Sequence, residues 1–164
     1  APRLAPVKRQ LVFIPVSAAE LDVLAGAVTF ADRTAYAVTD DLLEELGYDA
    51  TDSEDAEYAA LVLASVAGLA ANGERLIVVA DVPADLVQPG EDSPNGEILL
   101  TRLPTTAITA WFADEPGIDI TAAAAACHGM SIDEAWEQPA VQALLRDHDL
   151  LHNDVVEFRR GKEG

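Results

Sequence analysis

The chain has 164 residues, 29 of them acidic and 10 basic, for a formal charge of −19 at neutral pH. That balance repels nucleic-acid phosphate and anionic membranes, and no basic patch relieves it: the arginines are scattered, and Lys8-Arg9 and Arg159-Arg160 are the only adjacent basic pairs. Half of the residues are apolar but only 5% are aromatic, so the expected core is built from Ala, Val, Leu and Ile, in a chain long enough to bury it without disulfides.

One globular domain over residues 11–158 is expected, with a lead-in at 1–10 and a tail at 159–164. Cys127 is the lone cysteine and cannot bridge internally, which suits a reducing compartment. No charged-then-apolar leader is seen, and no apolar run approaches the roughly 18 residues that span a bilayer. A soluble cytoplasmic protein is the expectation. Few lysines beside many alanines and arginines read more readily as a high-GC genome than as a halophile.

Leu11 to Val16 is a short apolar run of the kind buried strands show, with Pro15 placed at its end because it cannot donate to a ladder. Ser17-Ala18-Ala19-Glu20 is a capping-box pattern that opens a helix carrying Leu21, Leu24 and Val28. Arg33 to Thr39 reads as a second strand, Thr34, Tyr36 and Val38 on one face and Ala35 and Ala37 on the other. Thr39 or Asp40 caps a short helix that Gly47 stops. Thr51 and Glu54 suggest another capping box, ahead of a long helix so apolar from Tyr58 to Ala71 that it is expected to be buried on most sides, with Leu61, Val62 and Leu69 inaccessible.

Arg75 to Pro83 is the clearest strand, and residues 84–96, with two prolines and two glycines among acids, read as loop. Glu97 to Leu103 and Ile108 to Ala113 supply two more strands, separated by a single turn. A helix follows from Thr121 to His128. Ser131 and Glu134 box the start of another, which Pro139 interrupts or restarts and which runs to about Asp149.

Helical crossovers between the first three strands favour parallel neighbours. The expected fold is therefore α/β (or α+β): a mixed, largely parallel sheet of about five strands with helices packed on it, in the order β-α-β-α-α-β-β-β-α-α. The first two strands are expected to pair in parallel.

Leu11 to Val16, Thr34 to Thr39, Glu57-Tyr58-Ala59-Ala60 and Val78 to Pro83, in that order, resemble an uncharacterised family of small actinobacterial proteins. The resemblance covers about residues 11–115 and, more loosely, 147–151; the N-terminal extension and His152-Asn153 depart from it. It implies an actinobacterial source and a domain of unknown function, and carries over no catalytic residue and no cofactor.

Candidate chemistry is sparse. His148 and His152 stand one helical turn apart, as metal ligands do, yet Asp149 is a methylene shorter than the usual glutamate base, and imidazoles near a helix end are the plainer reading. Cys127 and His128 are sequence neighbours, which on a helix point about 100° apart and cannot form a nucleophile–base pair, so Cys127 reads as a small buried apolar group. Asp52, Ser53, Asp55 and Glu57 offer oxygens but lack the glycine turn of a calcium loop. No glycine-rich phosphate loop or Gly-x-Ser-x-Gly elbow occurs.

One constellation remains. With the first three strands parallel, Ser17, Thr39 and Asp81 would share the carboxyl edge of the sheet, where open α/β sheets bind ligands. The plainer alternative makes Ser17 and Thr39 helix caps and Asp81 a turn residue. A non-enzymatic protein-binding or regulatory domain is the first expectation, with no metal, cofactor, nucleic acid or membrane. A small-molecule binder or enzyme using Ser17, Thr39 and Asp81 is the alternative. A concave, partly apolar cavity with converging polar groups would separate the two.

Overall fold

The computed structural model describes residues 9–25 and 30–154. Ala1–Lys8, Val28, and residues 155–164 with Arg159-Arg160 and the expected tail lie outside them. β1 (Arg9–Pro15) leads through α1 (Ala18–Ala25) to β2 (Phe30–Ala37), and α2 (Asp40–Leu46) and α3 (Ser53–Asn72) follow. Next come β3 (Leu76–Pro83), β4 (Val87–Pro89), β5 (Glu97–Leu103) and β6 (Ile108–Ala113). Three helices, α4 (Thr121–Cys127), α5 (Ile132–Trp136) and α6 (Pro139–Asp147), precede the last described strand, β7 (Leu151–Asp154).

The architecture is α+β. Seven strands form one sheet in the order β4-β5-β2-β1-β3-β6-β7, every neighbouring pair antiparallel. The mixed, largely parallel sheet of about five strands is therefore corrected, as is the parallel pairing of the first two. The length of α1 explains part of the error. A parallel return must recross the strand, about 23 Å for seven residues, whereas an eight-residue helix rises about 12 Å. That excursion stays at one end, and β2 comes back antiparallel, Phe13 opposite Tyr36.

The twenty residues of α3 rise about 30 Å, enough to cross the sheet. They deliver β3 to the far side of β1, where Leu11 pairs with Asp81 and Pro15 with Ile77. β2 and β3 consequently run the same way, but with β1 between them. The strand composition misled as well. β1 and β3 are covered on both faces, Phe13, Ile77 and Val79 facing α3 and Val12, Ile14, Val78 and Val82 facing away. Such strands read as unbroken apolar runs, a pattern more usual in parallel sheets.

Two cores result. On one face α3 lies over β1, β2 and β3, with α4, α5 and α6 packed around it; Leu61, Val66 and Leu69 are buried there. On the other face Leu21 of α1, Leu86 and Ala107 close over Val12, Ile14, Ala35, Ala37 and Leu100. Val62 departs from its expected burial and is only half-buried.

The caps follow the sequence in most places. Ser17 and Glu20 form the reciprocal box, Glu20 N–H donating to Ser17 Oγ at 3.2 Å and Ser17 N–H to Glu20 Oε1 at 3.0 Å. Thr39 Oγ1 accepts from Leu42 N–H at 3.0 Å and Gly47 closes α2. Ser131 and Glu134 box α5, and Pro139 opens α6 as a separate helix. The Thr51–Glu54 box is replaced by one between Asp49 and Asp52, which opens a short 3-10 turn ahead of α3. That turn takes up Asp52, while Ser53, Asp55 and Glu57 lie in the first turns of α3.

Arg33 reaches from β2 to that first cap. Its guanidinium grips both carboxylate oxygens of Glu20 and donates to Pro15 O at 2.8 Å, lying 5.3 Å over the Phe30 ring. The Arg33 hydrogen bond holds the Glu20 carboxyl below its ordinary pKa of 4.5; burial opposes this, and the Ser17 amide adds to it. A depressed folded pKa contributes stability that is present above the unfolded value and is lost as pH falls through the folded one. Unfolding in urea should therefore show an acid-side loss that begins near about pH 4.5 and that Glu20→Gln makes shallower. An identical acid limb in the variant would show that the pair contributes nothing.

Candidate functional site

The antiparallel order separates the three residues singled out at the strand ends. Thr39 follows the end of β2 and Asp81 lies in β3 opposite Leu11, so both sit near the start of β1; Ser17 follows its finish. Each has a structural partner. Ser17 and Thr39 cap helices, Thr39 Oγ1 also donating to Ser93 O at 3.0 Å, and Asp81 pairs with Arg9 at 3.3 Å. Thr39 lines a shallow cleft of about 720 Å³ that includes neither Ser17 nor Asp81.

His148 and His152 also part. His148 is the C-cap of α6, and His152 lies on β7, its ring edge-on to Phe112 at 5.2 Å. Cys127 is fully buried, and burial pushes its thiol up. Among the described residues no three His, Cys, Asp or Glu side chains gather as a metal site, and no helix is long and apolar enough to cross a membrane.

An apolar concavity lies along the outer side of α3, on the stripe left open by α2, α5 and α6. It encloses about 630 Å³. Leu61 and Val62 of α3 form its floor, Tyr58 of α3, Leu46 of α2 and Trp136 of α5 its rim, and Phe112, Leu145 and Leu150 its far end. Tyr58 is 59% exposed and Trp136 38%, large aromatic surfaces left in water at the mouth. This is where Val62 falls short of burial: the helix is apolar nearly all round, and nothing in the described fold covers one stripe of it.

Two polar side chains in the groove lining, Ser65 and Arg75, are already engaged. Ser65 Oγ donates to Val62 O at 2.6 Å. Arg75, nearly inaccessible, donates from Nε to Asp114 Oδ2 at 3.2 Å, from Nη2 to Asp114 Oδ1, and to His148 O at 3.0 Å. Among the described residues no hydroxyl in this lining is hydrogen-bonded to an imidazole or a carboxylate. What reaches the rim is negative: Glu45, Asp133 and Asp149 are all exposed.

A second cavity adjoins the first across α5. It encloses about 900 Å³ between β2, the C-terminal half of α3 and the loop before β5, and shares Ile132 and Asp133 with the groove. The sequence offered one signal for the groove, the all-apolar α3 beside Tyr58, and none for this cleft, whose carboxylates come from four separate segments.

Residues 11–160 match a family described only as a family of unknown function, DUF6912. The chain belongs to the DUF6912 family. The match runs past the segment that the sequence resemblance covered and takes in His152 and Asn153. No curated protein and no solved structure matches the chain. The DUF6912 assignment thus identifies the domain without supplying a reaction.

Proposed function

We propose that this DUF6912 chain is a non-catalytic, cytoplasmic protein-binding domain whose working surface is the groove along α3, and that the groove receives apolar side chains of a partner segment. The observation that carries this reading is the exposure of Tyr58 and Trp136 at the mouth of an apolar cavity of about 630 Å³. Ligand cavities run from about 300 to 1,000 Å³, but those that hold small molecules add convergent polar groups to orient them. Here Ser65 and Arg75 are spent on the protein itself. Exposed aromatics around an apolar trough are what protein interfaces concentrate. A lone buried thiol suits the reducing cytoplasm.

The test uses a designed amphipathic helix of Leu and Gln, titrated against the protein while Trp136 fluorescence and the amide resonances of α3 are followed. Saturable binding with shifts at Tyr58, Val62 and Trp136 is expected. Val62→Glu, which places a charge on a half-buried floor position, should weaken it at least tenfold, about 1.4 kcal/mol. Affinity unchanged by Val62→Glu would remove the groove from the interface. Binding of the neutral probe N-phenyl-1-naphthylamine without any binding of the peptide would make the site a small-molecule pocket instead.

A further inference from the structure

The cleft beside the groove is acidic. Asp32, Glu91, Asp92, Glu97 and Asp133 line it, and the one cation among its described lining residues, Arg33, is held in the bidentate pair with Glu20. A collection of carboxylates alone says little, but a second observation points inward. Tyr36, from β2, is 4% exposed and its side chain lines this cleft, yet among the described residues its hydroxyl has no hydrogen-bond partner. The Tyr36 Oη is not among the fully buried unpartnered atoms, so on an otherwise buried side chain it is the hydroxyl that opens to the cleft. Burial first, then the charges of Glu97 and Asp92, push its pKa far up, so the phenol is neutral and its oxygen remains an acceptor.

The carboxylates are fixed but not saturated. Glu97 Oε2 accepts the amides of Glu91 at 2.7 Å and Asp92 at 3.1 Å. Asn95 Nδ2 donates to Asp92 Oδ2 at 2.8 Å and to Asp133 Oδ1 at 3.0 Å, tying the loop before β5 to the start of α5. Among the described residues the other oxygens, Glu97 Oε1, Asp92 Oδ1 and Asp133 Oδ2, accept nothing. These acids are too dispersed to close on a metal ion. They suit a broad cation that carries several N–H donors.

We infer that the partner segment is a cationic amphipathic helix, and that a basic side chain next to its apolar stripe enters this cleft, where Tyr36 Oη, Asp92, Glu97 and Asp133 receive its N–H groups. The inference rests on the groove reading above and deepens it: Ile132 and Asp133 belong to both cavities, so one segment spans them. Charge complementarity selects the partner, for the rim acids and the formal charge of −19 repel an acidic helix and attract a basic one.

The test compares two designed helices of equal length, Leu–Lys and Leu–Gln, on the full chain. Leu–Lys should bind at least tenfold more tightly at low salt, with the advantage shrinking as sodium chloride is added. Asp92→Asn with Asp133→Asn should remove most of that advantage and leave Leu–Gln binding unchanged. The remote pair Asp22→Asn with Asp85→Asn, both exposed and outside the lining of either cavity, is equal in charge change and should leave it intact. Tyr36→Phe should cut it several-fold, its melting temperature confirming a folded chain.

Equal affinity for the two peptides would overturn the cation site while the groove survived. A Leu–Lys preference reduced as much by the remote pair as by the cleft pair would overturn it too, because the net charge would then be the cause. Should neither peptide bind, the groove reading falls, and acetyl-arginine methylamide decides the cleft alone. Saturable shifts of the Asp92 and Glu97 amides, lost in Asp92→Asn/Asp133→Asn, would keep it; their absence would end it.

Discussion

Asp114→Ala is expected to cost about 3–5 kcal/mol, a large share of the stability of a chain this size. The substitution leaves the Arg75 guanidinium stranded. Arg75 sits at 2% side-chain exposure between the end of α3 and the start of β3, and Asp114, just past β6, is its only carboxylate partner among the described residues. Removing the acid leaves one carbonyl, His148 O, against a charge that cannot reach water. The reverse change, Arg75→Met, should cost less, because Asp114 is 13% exposed and can rehydrate. Replacing both by apolar residues should recover part of the loss, since buried pairs often roughly break even against apolar isosteres. Urea unfolding of the two singles and the double gives the coupling. A loss below about 1 kcal/mol for Asp114→Ala would show that the guanidinium reaches solvent.

The same pair explains how the far wall of the groove is held. Arg75 joins the end of α6, through His148 O, to the β3–β6 side of the sheet. Loss of Asp114 should therefore loosen Leu145 and Leu150 as well as destabilise the chain.

The local elements were legible because their signals are local. Ser17 with Glu20, Ser131 with Glu134, Thr39, Gly47 and Pro139 act within a few residues of themselves, and each does in the structure what its type and spacing dictate. Strand direction is not of that kind. β1 and β3 owe their continuous apolar runs to cover on both faces, and in this chain an antiparallel sheet has that cover too. The two strands that sequence pattern missed are edges. β4 has three residues ending in Pro89, and β7 is Leu-His-Asn-Asp, paired on one side by β6. Neither buries enough apolar surface to print a period, so β4 reads as loop and β7 falls just past a helix that ends at about Asp149.

For the site the lesson differs. Val62 was expected to be inaccessible because α3 is apolar nearly all round, and that expectation fails only where the groove opens. An apolar helix with one uncovered stripe marks a surface that the described residues leave open. The cleft behind Tyr36 left no such trace. Its acids come from β2, β5, α5 and the loop before β5, and nothing in their spacing foretells that the fold gathers them.

That loop depends on its two glycines, and Gly96→Ala is expected to be the most damaging conservative change in it, at about 2–5 kcal/mol. Two costs coincide there. Gly96 has φ +82, a conformation that L side chains rarely adopt, and an added Cβ would lie 2.6 Å from Ala37 O and 3.2 Å from Leu42 Cδ2. The carbonyl cannot retreat freely, because Gly96 O accepts Ala37 N–H at 2.9 Å and fixes the two backbones together. Single-cost controls separate the contributions. Gly73→Ala carries a similar φ of +74 with nothing within 4 Å, and should lose about 1 kcal/mol. Gly90→Ala has no φ cost but meets Glu97 O at 2.7 Å, and should fall between the two. Since Gly90 and Gly96 bracket Glu91, Asp92 and Asn95, the Gly96 variant should also lose its preference for the Leu–Lys peptide beyond what its stability explains. Urea midpoints and peptide titrations on the three variants check both effects. Equal losses at Gly96 and Gly73 would show that the contact with Ala37 relaxes at no cost, and the loop would then not be the rigid support that the acidic cleft requires.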